Sequence, residues 1–162
     1  YINNKRPWWK DHWRSIYLNY KKAAYFSKYS DFFAELYQKK WNKLADLSEA
    51  IIRYIVDTLG IKTKIIKCSS LMLNSHRTDL IIDACKKIGA HVFLAGRHGR
   101  EYLEEEKFRE NKIKLLYQNF IHPCYRQLSE PFIEGMSVID LLFNEGENSI
   151  QILKKIEAIV DV

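Results

Sequence analysis

Two glycines and two arginines fall within five residues, Gly96-Arg97-His98-Gly99-Arg100, and this segment has the most chemical content in the chain. It follows a short apolar run. Glycines at such a point let the backbone turn sharply and let a ligand approach it closely. A helix fed by the loop offers free N–H groups to an anion. Arg97 and Arg100 add guanidinium groups suited to bidentate contact with phosphate or carboxylate. The spacing fits neither a dinucleotide-binding fingerprint nor a P-loop. The segment is therefore either an anion-binding loop of another kind or an ordinary strand-to-helix turn with exposed arginines.

Two further segments belong with it. In open α/β sheets ligands bind beyond the carboxyl ends of the strands, and that rule selects Ser69-Ser70 and His122-Pro123-Cys124-Tyr125 as partners in one polar crevice. His122 is either a general acid or base, its ordinary pKa lying near neutrality, or a hydrogen-bonding group at a strand end. Tyr125 either donates a hydrogen bond to a sugar or carboxylate, or packs. Arg77-Thr78-Asp79 opens a helix beside the first strand end: Arg77 either faces the crevice or is solvated, Thr78 suits a cap, and Asp79 is a candidate ligand contact or only complements the helix dipole. Asp140, flanked by Ile139, Leu141, Leu142 and Phe143, is expected to be partly buried and to need a partner, for which an arginine is the candidate. No cluster has metal-ligand spacing, and no metal site is expected.

The elements that must position these residues are legible from periodicity. Up to Gly60 the pattern is helical. Trp9, Trp13, Ile16, Tyr17 and Tyr20 form one apolar stripe, Phe32, Phe33, Leu36 and Tyr37 a second, and Ile51, Ile52, Ile55, Val56 and Leu59 a third that Gly60 ends. From there strands and helices alternate. Strands are predicted at Lys64 to Ser69, His91 to Ala95 and Ile113 to Phe120, and helices at Thr78 to Ile88, Glu101 to Asn111, Ser137 to Asn144 and Ser149 to Ile159. The β-α-β-α-β order predicts one Rossmann-like α/β domain over 1–162. It has a helical portion, 1–60, and an alternating portion, 61–162, built on a mainly parallel sheet with helices packed on it.

Composition narrows the function classes. The 162 residues suffice for one domain with a sizeable core. Hydrophobic residues make up 47%, which excludes a disordered chain. The formal charge of +6 is spread along the chain and mixed with acidic residues. It points to a solvated surface or an anionic small molecule, and no nucleic-acid-binding signature accompanies it. Cys68, Cys85 and Cys124 are odd in number and without metal spacing, as in a cytoplasmic protein with reduced thiols. No apolar run approaches membrane-spanning length.

The same residues resemble the WbqC-like family of surface-polysaccharide biosynthesis proteins. Trp9-Lys10-Asp11-His12 followed by Tyr20-Lys21-Lys22-Ala23-Ala24-Tyr25-Phe26 is similar to the family's Trp…His helix and Lys-Ala-Pro-Tyr-Phe turn, with Ala24 where proline is usual. Arg77-Thr78-Asp79-Leu80-Ile81 resembles its Lys/Arg-Thr-Asp segment. Phe93-Leu94-Ala95-Gly96 with Gly99 and Tyr102-Leu103 resembles its Tyr-Leu-Ser-Gly…Gly…Tyr-Leu stretch. His122 to Gln127 and Met136 to Gly146 resemble its C-terminal signature. The family's usual upstream strand and Gln-Pro-x-Tyr-Leu-Pro-like motif are not seen, so a truncated start and an uncovered sheet edge or apolar patch are expected.

The resemblance implies a role in bacterial O-antigen or related surface-polysaccharide biosynthesis, alongside other proteins of that process. It suggests transfer of glycine, or another aminoacyl or acyl group, to an activated sugar such as a sugar nucleotide, with His122 assisting proton transfer. The alternative is a noncatalytic module that holds a sugar nucleotide or a partner. No cofactor is indicated.

Overall fold

The structure, a computed structural model, describes residues 1–155 and the backbone of 159–161. They form two compact units, one of residues 1–62 and 122–155, the other of residues 63–121 with the C-terminal strand.

The first unit is helical, with α1 (Trp8–Tyr20), α2 (Phe26–Gln38), α3 (Leu44–Thr58), α6 (Val138–Glu145) and α7 (Ser149–Lys154). Pro7 stands at the N-cap of α1, where its missing N–H costs nothing. On α2 the buried Phe26, Tyr29, Phe33 and Leu36 recur at helical spacing and form one stripe. On α3 Leu47 and Ile55 are buried, and the helix ends where the N–H of Ile61 reaches the Val56 carbonyl at 2.9 Å. These stripes close on Leu142 and Phe143 of α6, both fully buried. Helix α1 contributes Trp13, Ile16 and Tyr20 to that core as half-buried side chains. It buries no residue completely, so the large aromatics of the first stripe cover the core rather than fill it.

The second unit contains α4 (Arg77–Ile88), β1 (Val92–Ala95), α5 (Glu105–Glu110), β2 (Lys114–Gln118) and β3 (Ile159–Asp161). Helix α4 buries Thr78, Ile82 and Cys85 and stops at Gly89, whose φ of 71° is the left-handed conformation that glycine adopts without strain. Strands β1 and β2 pair parallel, from Val92 against Lys114 to Ala95 against Tyr117. Ala95, Leu115 and Tyr117 are buried with Phe93 packed beside them, over Phe108 of α5 and Ile82 and Cys85 of α4. On the opposite face Val92 and Leu94 are about half exposed.

Three expectations need correction. Lys64 to Ser69 is not a strand: the chain is irregular from Ile61 to Lys67 and then makes a 3₁₀ turn, Cys68–Leu71. Isoleucine's preference for strands depends on packing against neighbours on the sheet, and here Lys64 and Lys67 flank the Ile65-Ile66 pair and Ile66 is 40% exposed. The helix predicted from Glu101 is shorter, α5 beginning at Glu105 after a five-residue 3₁₀ turn, Arg97–Glu101. The helix predicted from Ser149 to Ile159 ends at Lys154; part of that span lies outside the described residues, and Ile159 begins β3, which pairs antiparallel to β2. The chain is thus a helix-rich α/β mixture whose described sheet, β1-β2-β3, has one parallel pair. It is not clearly a Rossmann-like fold with a mainly parallel sheet. No helix among the described residues is long and apolar enough to cross a membrane.

Gly99 shows why the turn after β1 has its sequence. It is buried, and a Cβ there would lie 2.9 Å from Ala95 Cβ and 3.1 Å from side-chain atoms of Leu103 and Tyr117. Ala95 Cβ is fixed to the strand and cannot rotate away. Gly99→Ala is expected to lower the unfolding free energy by about 1–3 kcal/mol through overpacking. Urea denaturation checks this; a variant as stable as the parent would show that the turn can shift freely.

Candidate functional site

The parallel pair sets the first site. The carboxyl ends of β1 and β2 lie side by side, and beyond them is a cleft of about 320 Å³ lined by Arg97, Arg100, Tyr117, Gln118 and Asn119. The turn after β1 supplies the two arginines, and the end of β2 supplies the rest. Arg100 Cζ lies 4.1 Å from the centroid of the Tyr117 ring, a cation–π contact that restrains the guanidinium. The Tyr117 hydroxyl donates to Glu105 Oε1 at 2.9 Å. Burial, and then that carboxylate, push its pKa up, so Tyr117 is a neutral donor at physiological pH. Neither Arg97 nor Arg100 is paired with a carboxylate among the described residues. The cleft therefore presents two guanidinium groups and two amide side chains to an incoming anion.

Of the sequence-expected ligand contacts, Arg97 and Arg100 line this cleft, with Gly96 leading into it. The others do not line it. His98 is exposed, its Nδ1 2.8 Å from Glu101 Oε1. Gly99 is approached by the chain's own side chains, and its buried position leaves no room for a ligand there. The turn that follows Gly96 is 3₁₀ and only five residues long, so an α-helix N-terminus adds nothing to anion binding there. Ser69 is exposed in the Cys68–Leu71 turn. Arg77 is exposed with φ of 55° at the start of α4. Asp79 accepts from Lys107 Nζ at 2.9 Å, and Thr78 Oγ1 accepts from the Glu104 N–H at 3.3 Å, so these two tie α4 to the start of α5. The sequence reading missed Tyr117, Gln118 and Asn119 because it carried the strand through to Phe120. A strand ending at Gln118 would have exposed them as strand-end residues.

His122 and Tyr125 belong to the first unit. The His122 ring packs against those of Tyr125 and Phe132, with centroids 5.8 Å away in both cases. Its Nδ1 lies 3.1 Å from the Pro123 carbonyl, which accepts when the proton is on that nitrogen. The Tyr125 hydroxyl donates to Asp140 Oδ2 at 2.7 Å, and Gln127 Nε2 donates to the same oxygen at 3.0 Å. Asp140 is 5% exposed. The partner expected for it was an arginine; the structure gives it a tyrosine and an amide. The hydroxyl pKa values of Tyr20 of α1 and of Tyr125 are both pushed well up, first by burial and then by the Asp140 carboxylate. Sequence reasoning missed Tyr20 and Gln127 as members of this network. Among the described residues no group of three His, Cys, Asp or Glu side chains is placed to hold a metal ion.

Comparison with known proteins gives the chain its relatives. The profile described as the WbqC-like protein family matches residues 1–152. An uncharacterized protein of Mycobacterium tuberculosis is 30% identical over 141 residues, which are 86% of this chain. The match covers 61% of that relative, so the chain spans less than two thirds of its length. No solved structure matches.

Proposed function

Since the chain belongs to the WbqC-like protein family, we propose that it serves bacterial surface-polysaccharide biosynthesis by holding an activated sugar through its phosphates. The observation that carries this reading is the pair of arginines, free of carboxylate partners among the described residues, at the carboxyl ends of the parallel strands. Guanidinium groups match phosphate oxygens in geometry as well as charge. The Tyr117 ring holds Arg100 in place before a ligand arrives, which lowers the ordering cost of binding. In the family reading a hydroxyl or amine of the sugar attacks an activated aminoacyl or acyl donor, the donor's leaving group departs as the new ester or amide bond forms, His122 takes the proton from the attacking group and passes it to that leaving group, and the protein works in the cytoplasm.

A calorimetric titration with uridine diphosphate glucose tests the binding step. The affinity should fall as salt is raised from about 0.05 to 0.5 M, because partly exposed charges are screened within a shortening Debye length. Saturable binding indifferent to salt would contradict an arginine-held phosphate. His122→Ala should retain this affinity and lose any transfer activity.

A further inference from the structure

We propose that the cavity above Asp140 is a second ligand site, one that takes a neutral sugar ring. The cavity measures about 380 Å³, within the ~300–1,000 Å³ usual for small-molecule sites. It lies wholly in the first unit, and the proposal does not depend on the arginine cleft. One wall is a single face of α1, carrying Ser15, Asn19 and Tyr20; the other is the 127–136 segment, with Ser129 on it; Asp140 is at the base.

The base and one wall are built before any ligand arrives. Asp140 Oδ2 receives the Tyr125 hydroxyl and the Gln127 amide. Gln127 is committed on every side: Nε2 also donates to the Ile133 carbonyl at 2.9 Å, and Oε1 accepts from the Ile133 N–H at 2.8 Å. One buried carboxylate therefore fixes both the tyrosine and the loop that forms the wall. Preorganisation of this kind removes the loop-ordering cost of binding.

The lining selects the ligand class. Among the described residues its one carboxyl is Asp140, and no lysine, arginine or histidine lines the cavity, so phosphates and other anions are disfavoured. The Asp140 carboxylate is already satisfied by neutral donors and does not call for a cation. Asn19 Nδ2 already donates to the Ser15 carbonyl at 2.8 Å and lies 3.5 Å from Ser15 Oγ, so what remains for a ligand are Asn19 Oδ1 and its second amide hydrogen, the hydroxyl hydrogens of Ser15 and Ser129, and the oxygen of Tyr20, which between them give and accept hydrogen bonds. Around these polar groups Leu128, Ile133 and Met136 are exposed, at 44%, 54% and 37%. A cavity with a hydroxyl and amide interior and an apolar rim fits a molecule with a hydroxyl edge and a C–H face. A hexose or 6-deoxyhexose ring has both.

The test is ligand-observed and protein-observed NMR of the full chain with methyl glucoside, methyl galactoside, methyl rhamnoside and N-acetylglucosamine, each at up to ~10 mM, and inorganic phosphate as the anionic control. At least one sugar should shift the Asn19 side-chain amide in a saturable way, and phosphate should not. Ser129→Trp, which fills the mouth from an exposed loop, should abolish the effect. Asn19→Ala, at an exposed helical position, should weaken it about three- to tenfold and serves if the tryptophan variant does not fold. The Arg97→Ala/Arg100→Ala variant should bind the sugar unchanged, which separates this site from the cleft. If none of the four sugars moves the Asn19 amide, or if the folded Ser129→Trp or the Asn19→Ala protein binds as the parent does, the proposal is overturned.

Discussion

Phe143→Ala is expected to lower the unfolding free energy by about 3–5 kcal/mol, the range for truncating a fully buried aromatic. Phe143 has no exposed surface. Its ring centroid lies 5.2 Å from that of Tyr20, 5.1 Å from Phe26 and 5.7 Å from Phe33, so it touches α1 and α2 at once. Its carbonyl accepts from the Tyr25 N–H at 2.9 Å, which fixes the backbone around the ring. The surrounding rings are rigid and cannot collapse into the space left behind, so the cavity cost adds to the lost burial. Urea denaturation is the measurement, with an unchanged slope expected because the folded and unfolded states expose similar surface in both proteins. A loss below about 1 kcal/mol would mean that this aromatic cluster is loosely packed.

Asp140→Ala is expected to cost about 2–4 kcal/mol, because it removes one acceptor and strands two donors. The Tyr125 hydroxyl and the Gln127 amide lose their common partner. Asp140→Asn keeps the volume and separates charge from shape. The two tyrosines have folded-state pKa values raised above the ordinary 10.0. Below pH 10 both folded and unfolded chains hold these protons, and the stabilising contribution is complete. Above it the unfolded chain releases them first, so stability falls as pH rises. Thermal unfolding followed from pH 8 to 11, with these values taken about the ordinary tyrosine pKa of ~10, should show that decline. It should be shallower in Asp140→Asn but still present, since burial is the larger cause of both shifts. An identical decline in the two proteins would remove Asp140 from the tyrosines' environment.

How far the sequence could be read follows from the range of the interactions involved. The helices were legible because their signals are local. Ile51, Ile55 and Leu59 repeat at one helix face, and glycines close α3 and α4. The parallel pairing of β1 and β2 was legible because a helix stands between two apolar runs. Lys64 to Ser69 misled because its isoleucines have the propensity of a strand but no strand among the described residues pairs with them. Arg97 and Arg100 were legible as candidate anion contacts from their glycine-flanked position after an apolar run. Tyr117, Gln118 and Asn119 were hidden by an error of two residues in one strand end. The burial of Asp140 could be read from its apolar neighbours. Its partners could not, because Tyr20 is brought to it only when α1 and α6 close on the same core, and no periodicity in the sequence encodes that contact.

The arginine cleft is the centre of the functional account, and one comparison tests it most directly. Uridine diphosphate glucose is titrated calorimetrically into the parent protein and into the Arg97→Ala/Arg100→Ala variant, both checked for unchanged thermal stability. The variant should bind more weakly by about 1.5–3 kcal/mol for each arginine that makes a charged hydrogen bond, at least a tenfold loss. Equal affinity in the two proteins would contradict the account and leave the Gly96 to Arg100 segment as a structural turn.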